Sequence, residues 1–442
     1  MTKIFKKSQF DNSVAFKPSL TSDDVSMQAL AVDLMETMEN ELGLSFRRQR
    51  DLYVMNLTTI LCNFLHASTK GKETWLAYPR SEGDPIYRAS SRYNVTKLSY
   101  SRVVKLMDGL VDLGMVEYQR GFNDRREGGS SRISRAIPTD TLRDRMSDYA
   151  VDLGRIHRKI ETIVLRDRNG KDVEYTDTPA IRAMKATLER INGMLATVDV
   201  AIGCTARELG EVMQAIKDHN RWLLPEEHVQ LDFTFTALYR VFNNEIRSKP
   251  RLTHGGRFYG HWVQSVPSRH RARITIDGKP TCELDYSGLH INMLYARAGL
   301  LLPEGDVYEV DGVNLYRDAM KGILQCLINA DSREQAMAAI IDAHDDNPFI
   351  GADELEQAAR AFEAKHEAIG QYFGTGIGSE LQRIDADMAE RVMLELLDNG
   401  IVCLPIHDSF IVQADHVDYL REAMTNASKA VLGIELEVSR KH

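Results

Sequence analysis

Three things are scarce in this 442-residue chain: paired cysteines, long apolar runs and a surplus of positive charge. The five cysteines, Cys62, Cys204, Cys282, Cys326 and Cys403, are scattered and form no Cys-x-x-Cys pair. That argues against a disulfide framework and a thiolate zinc site, and it fits a reducing compartment. No apolar run is long enough to span a bilayer. The opening Met1-Thr-Lys-Ile-Phe-Lys-Lys lacks the apolar core of a secretory signal. A cytoplasmic protein without a membrane role is expected. The formal net charge of -9 provides no global pull on nucleic acid, so any such surface must be local.

What is present is ordinary globular material, 43% hydrophobic and 27% charged, enough for two or three domains with ample cores. Residues 1–25 are polar and unpatterned and predict a loose tail. Apolar spacing over 26–65 is helical, and the pattern breaks around Trp75-Leu-Ala-Tyr-Pro. Ser99 can cap a helix that buries Val103, Val104, Leu106, Met107, Leu110 and Leu113, and Gly114 can end it. Strands then follow at 115–119 and up to about Ile137, separated by a polar Gly/Arg loop. Arg88, Arg92, Lys97, Arg102, Lys105, Arg120, Arg125, Arg126, Arg132 and Arg135 fall in this stretch. They face only Asp108, Asp112, Glu117, Asp124 and Glu127. Helix, helix and a hairpin with a basic loop resembles a winged helix-turn-helix. That resemblance makes Arg92, Arg102, Lys105, Arg125 and Arg126 candidate nucleic-acid contacts. The alternative is a winged helix used for packing or dimerisation, its charges solvated.

Further on, Asn169-Gly170 between β-rich arms predicts a hairpin over 160–175. Thr178-Pro179 predicts a helix to about 195, and Thr205-Ala-Arg-Glu208 is a capping box for another to about 220. A third helix is expected over 235–246. These helices either touch a duplex as a polymerase thumb does, or connect domains.

Residues 281–286 alternate, end in a carboxylate and predict a strand that delivers Asp285 to a sheet rim, followed by a helix from about Gly288. Downstream, Gly400-Ile-Val-Cys-Leu-Pro-Ile-His407-Asp408-Ser-Phe-Ile-Val predicts a hairpin with Asp408 at its bend. Two strand-borne carboxylates distant in sequence can converge on paired divalent metals, the arrangement that serves phosphoryl transfer. The pair Arg317-x-x-x-Lys321 lies on one helical face, where both side chains can reach one triphosphate.

In order and spacing these blocks resemble the family A DNA polymerases and, more distantly, the single-subunit phage and mitochondrial RNA polymerases, over about 251–424. The resemblance implies the following roles. Asp285 and Asp408 would be the metal ligands, with the Tyr286 carbonyl also facing metal, for two Mg²⁺ or Mn²⁺ ions. Arg269, in Gln264-Ser-Val-Pro-Ser-Arg269, would bind nucleotide. So would Arg317 and Lys321, which open motif B after the step Asp306-Val-Tyr308, and Lys321 could protonate the departing pyrophosphate. Arg257 and Gln382 would touch the minor groove near the primer end, and His407 the primer terminus.

The departures are His290, where the family carries Glu, and Asn329, where it carries an aromatic. Those two family residues block a ribose 2′-hydroxyl. His and Asn can instead hydrogen-bond it, which makes ribonucleotide use and priming plausible. The fingers look trimmed, and no proofreading exonuclease precedes the palm.

Two lookalikes are set aside. His344-Asp345-Asp346 is expected to be a solvated helix end, and Gly374-Thr-Gly-Ile-Gly378 a turn, because no strand precedes it and no Lys-Ser/Thr follows. Met293, Leu294 and Met393 are expected in the core.

The resulting expectation is an α+β protein. It has a winged-helix region over 1–140, a hairpin and helical linker over 141–250 that is either thumb-like or connecting, and a polymerase palm with reduced helical fingers over 251–442. Its implied activity is templated nucleotidyl transfer on DNA template and primer with nucleoside triphosphates, in replication or priming of a mobile element. The alternatives are a DNA-binding protein whose polymerase-like half is an idle scaffold, and an untemplated polymerase.

Overall fold

The computed structural model describes residues 12–88, 92–123, 131–220, 231–244, 250–313, 315–343 and 351–441. The chain divides into two compact units, 1–161 with a short return at Thr234–Thr236, and 162–233 with 237–442. The linker expected over 141–250 is therefore shared between them.

The first unit opens with strands β1 (Ser13–Ala15) and β2 (Leu20–Ser22) and helices α1 (Val25–Leu42) and α2 (Arg50–Ser68). Next come β3 (Trp75–Tyr78), the single turn α3 (Pro85–Arg88) and α4 (Tyr100–Asp112). Strand β4 (Val116–Gln119), the short pair β5 (Phe122–Asn123) and β6 (Ser131–Arg132), and β7 (Ser134–Pro138) follow. Helix α5 (Asp140–Asp148) and β8 (Ile156–Arg158) complete the unit. Strands β1, β3, β7 and β4 form one sheet, in that order. Ser99 caps α4 through its side chain, which accepts from the Arg102 amide at 3.4 Å. Val103, Leu106, Met107 and Leu110 are buried, while Val104 and Leu113 are half-buried.

Two expectations need correction here. The described part of the loose tail is built into the fold: β1 pairs with β3, β2 pairs with β8, and Phe16 and Leu20 are in the core. A few apolar residues at strand spacing suffice, although the segment as a whole is polar. The break at Trp75 is β3 itself, all four of its residues buried, so its apolar run marks an inner strand.

The second unit begins with β9 (Ile163–Asp167), α6 (Pro179–Leu195), β10 (Val200–Ile202) and α7 (Ala206–Asn220). The capping box forms as expected, with Thr205 N donating to Glu208 at 2.8 Å and Glu208 N donating back to Thr205 at 3.3 Å. Strands β11 (Tyr239–Asn244) and β12 (His254–Tyr259), the turn α8 (Ser268–Arg271) and strands β13 (Ile274–Ile276) and β14 (Lys279–Tyr286) come next. Then follow five helices: α9 (Leu289–Arg297), α10 (Arg317–Asn329), α11 (Arg333–Asp342), α12 (Ala352–Lys365) and α13 (Gly378–Asp398). The unit closes with β15 (Leu404–Ile406), β16 (Ser409–Gln413), α14 (Val417–Leu432) and β17 (Val438–Arg440).

The helix expected over 235–246 is instead β11. It pairs in parallel with β9 and antiparallel with β12, and it buries Arg240, Phe242 and Asn244 at every second position. That period-two burial fits its Tyr, Val and Phe content, which tertiary pairing favours over a helix. The Asn169-Gly170 turn forms, and its short return arm meets the edge of β9 away from β11 through one bridge at Asp172. There Asp167 N donates to Lys171 at 2.9 Å and Val173 N to Leu165 at 2.8 Å. Gly374 to Ile377 is a turn leading into α13, and Met293, Leu294 and Met393 are buried. Residues 344–346 lie outside the described residues, as do Arg125 and Arg126.

Candidate active site

Strand β14 alternates across its sheet. Cys282, Leu284 and Tyr286 take one face, Glu283 and Asp285 the other. The Tyr286 hydroxyl donates to the Met424 carbonyl at 2.6 Å, so its ring is tied into α14 and only its main chain is left for the role expected of it. Beneath Asp285, the wholly buried Glu283 takes two bonds from Arg271, at 2.8 and 2.9 Å, and one from the Ser409 hydroxyl at 2.6 Å. Fully paired in this way, the buried charges make a stiff floor.

Strand β16 runs antiparallel to β14 with Ser409 opposite Asp285, which brings the β15–β16 turn, and Asp408 with it, alongside Asp285. His407 holds that turn at φ 60, a backbone region that non-glycine residues seldom occupy. Burial and then the neighbouring Asp408 push the Asp285 carboxyl up to about 6. Its Oδ1 is buried without a hydrogen-bond partner, as is His407 Nδ1. Oδ2 takes the Lys441 ammonium at 2.9 Å.

Around this pair the fold gathers Arg257, His290 and Asp385. Arg257 Nε donates to Asp385 at 2.6 Å, and its Nη2 lies 3.3 Å from His290 Nε2. The guanidinium can only donate, so His290 Nε2 accepts from it. His290 Nδ1 lies 3.3 Å from Gln325 Nε2, and the Gln325 side-chain oxygen accepts from Asn329 at 3.3 Å. Burial, reinforced by Arg257, holds His290 down at about 4, and the same two causes hold His407 at about 4. Burial also raises Asp385 to about 6 against the pull of Arg257, with Asp408 adding to the rise.

Helix α10 joins the site through Tyr308. The Arg317 guanidinium sits 4.7 Å from the Tyr308 ring centre and the Lys321 ammonium 5.9 Å from it. Burial raises the Tyr308 hydroxyl to about 12, with Arg317 opposing the rise and Asp408, Asp306 and Asp285 adding to it. Arg317 also pairs with Asp306 at 2.7 Å, and Lys321 with Asp318 at 3.5 Å. The step Asp306-Val-Tyr308 thus anchors the first turn of α10.

Not every candidate converges. Arg269 is exposed on α8, its Nε 3.1 Å from His270, while Arg271 two residues on is the buried one. Gln382 is half-buried on α13, one turn before Asp385. In the first unit, Arg102 binds Asn56 at 3.1 Å, Gln49 at 3.2 Å and the Lys97 carbonyl. Lys105 donates to the Ser45 carbonyl at 2.7 Å, and Arg92 pairs with Glu161 at 3.7 Å. Arg92 thus faces an acid, while Arg102 and Lys105 bond neutral oxygens and keep their charge. Sequence reading missed Glu283, Arg271, Asp385, Gln325 and Lys441, whose links to Arg271, Glu283, Arg257, His290 and Asp285 in turn span 12 or more residues.

The residues present fit divalent metal. A buried carboxylate oxygen without a partner beside a second carboxylate needs a cation, and the Tyr286 carbonyl can add a hard oxygen. Among the described residues no group of three or more His, Cys, Asp or Glu converges on one point, so waters and a substrate phosphate would complete the shell.

No family model and no curated protein matches the sequence. Among solved structures, the chain is similar to the POL domain of Pol1 from M. smegmatis in complex with DNA primer-template and dNTP. The identity is 13%, over 96% of this chain and 66% of that one, with a TM-score of 0.28. A likeness that distant adds nothing to the geometry above. No described helix is long and apolar enough to cross a membrane.

Proposed function

We propose that the second unit is a template-directed nucleotidyltransferase and that the first unit, read as a winged helix, places it on DNA. The observation that carries this reading is Asp408, at the β15–β16 turn, brought beside Asp285 of β14, whose ladder partner is Ser409, with Asp285 Oδ1 buried and unpartnered. Asp285, Asp408 and the Tyr286 carbonyl would hold two Mg²⁺ or Mn²⁺ ions. Bound there, such ions activate an attacking hydroxyl and stabilise the leaving oxygens.

The chain's own groups account for the rest. Arg317 and Lys321 lie on one face of α10 over Tyr308, suited to a triphosphate, and Lys321 can donate a proton to the departing pyrophosphate. Gripped by Asp385, Arg257 has its guanidinium fixed toward the site, where it can meet a primer strand. His407 Nδ1 is free of protein partners beside Asp408 and can bond the primer terminus. The His290–Gln325–Asn329 chain presents polar groups where a bulky side chain would exclude a 2′-hydroxyl, so ribonucleotides are admitted.

The test is extension of a labelled primer on a defined template, comparing dNTPs with NTPs and Mg²⁺ with Mn²⁺. Wild type should extend, and Asp285→Ala and Asp408→Ala should each lose at least a thousandfold, roughly the cost of losing a principal transition-state stabiliser. A second reading, an idle polymerase-like scaffold on a DNA-binding unit, draws on the Lys441 ammonium seated on Asp285. Salt-dependent DNA binding with no incorporation by wild type, primed or unprimed, would favour it. Product whose composition ignores the template would point to an untemplated polymerase.

A further inference from the structure

Lys441 lies one residue past β17, whose Arg440 stands opposite Leu284. Its amide donates to the Glu283 carbonyl at 2.9 Å, so it continues the ladder opposite Glu283. Opposed residues of an antiparallel pair share a face, here the face of Glu283 and Asp285. The ammonium reaches Asp285 Oδ2 at 2.9 Å and stands 3.8 Å from Glu283 Oε1. Glu283 has no need of it, since Arg271 and Ser409 already serve that carboxylate. Its use is at Asp285.

We propose that Lys441 is a positioning residue of the carboxylate pair: an internal cation that holds Asp285 until a divalent ion displaces it. The proposal rests on Asp285 and Asp408 forming a metal site. A divalent ion on Asp285 binds its oxygen at roughly 2.0–2.6 Å. An ammonium on the same carboxylate then stands close enough for strong like-charge repulsion, weakened by its partial exposure to solvent. The ammonium must therefore leave Oδ2 as the ion arrives, and the affinity for the ion falls by the work of displacing it. In exchange, the apo site does not carry Asp285 and Asp408 as neighbouring uncompensated anions. A side chain rooted by its own main-chain bond can swing away without moving β14.

The test measures Mn²⁺ binding to the full chain through the paramagnetic resonance signal of the free ion. Wild type, Lys441→Met, Lys441→Arg and Asp408→Ala would be compared. We expect Lys441→Met to bind Mn²⁺ roughly three- to tenfold more tightly than wild type, and Lys441→Arg, which keeps the charge, to bind about as wild type does. Without metal, Lys441→Met should melt below wild type, and Mn²⁺ should raise its midpoint by more. Should the methionine variant not fold, Lys441→Gln repeats the comparison with a neutral donor in place. If wild type binds Mn²⁺ and Asp408→Ala does not, while Lys441→Met binds no more tightly than wild type, this proposal fails and the metal site stands. If neither wild type nor Lys441→Met binds Mn²⁺, both readings fail.

Discussion

Arg257 and Arg271 are both mostly buried and both bound to a carboxylate, but their surroundings assign them different work. Arg271 is spent on Glu283 and the Val266 carbonyl and has nothing left for a substrate. Arg271→Met leaves Glu283 buried, with Ser409 and the distant Lys441 as its remaining polar neighbours. Loss of such a partner costs about 3 kcal/mol or more, readable as a drop in the urea midpoint. Arg257 divides its donors between Asp385 and His290 and lies close to Asp408, so Arg257→Met should impair extension beyond any loss of stability. At His290 the expected change is one of selectivity. His290→Glu should move the preference toward dNTPs by roughly tenfold in kcat/KM, measured with ATP against dATP, since a pocket's gain or loss of one hydrogen bond is worth about that much or more. The places of Asp285, His407 and Asp408 in the fold were legible because Asp285 ends a short alternating run and His407-Asp408 sits between two apolar ones. Asp385 and Lys441 were not, because their meaning comes from which strand or helix lies opposite.

Elements obeyed local chemistry where that chemistry was complete. The Thr205–Glu208 box and the Thr178-Pro179 start fixed α7 and α6 to within a residue, since caps satisfy amides that have no other partner. Strand β11 escaped because its alternation becomes decisive only with β9 and β12 on either side. The step from β14 into α9 depends on Gly288, at φ 58, where an added Cβ would lie 2.7 Å from Val307. Gly288→Ala should lose about 1–3 kcal/mol by chemical denaturation, and adding Val307→Ala should recover the steric part alone. A pH effect belongs to the short turn after β12. Burial lowers His261 from 6.5 to about 4, so the unfolded chain takes up its proton first. The share of stability that His261 supplies above pH 6.5 should therefore fall as pH drops toward 4, by up to roughly 3 kcal/mol. His261→Gln should remove that share of the slope, while His290 and His407, lowered alike, keep theirs.

For the whole molecule, charge and architecture separate the two proposed tasks. A chain of net charge -9 can grip DNA only where positive charge is concentrated, so its binding should weaken steeply with salt. Replacing the exposed Arg120, at the end of β4, by Ala should reduce the slope of log K against log salt by about one without altering extension on short primers. Of the architecture, the helical opening, the β4–β7 hairpin and the carboxylate-bearing strands of the second unit were readable from pattern alone. The return of Thr234–Thr236 to the first unit was not, because those three residues lie far in sequence from the rest of it. Arg158 N donates to the Thr234 carbonyl at 3.0 Å, and the Arg158 guanidinium lies 4.2 Å from the Phe235 ring centre.

That return has a consequence for synthesis. The first unit reaches residue 161 but lacks its last piece until residue 236 has left the ribosome, roughly 75 residues and 4–15 seconds later. During that interval Arg158 waits without Thr234 or Phe235 while β9, α6 and α7 emerge, before the β11 that β9 needs beside it. The second unit itself closes only with β17, so a pause in translation ahead of residue 234 would hold the first unit open and leave the start of the second without its partners.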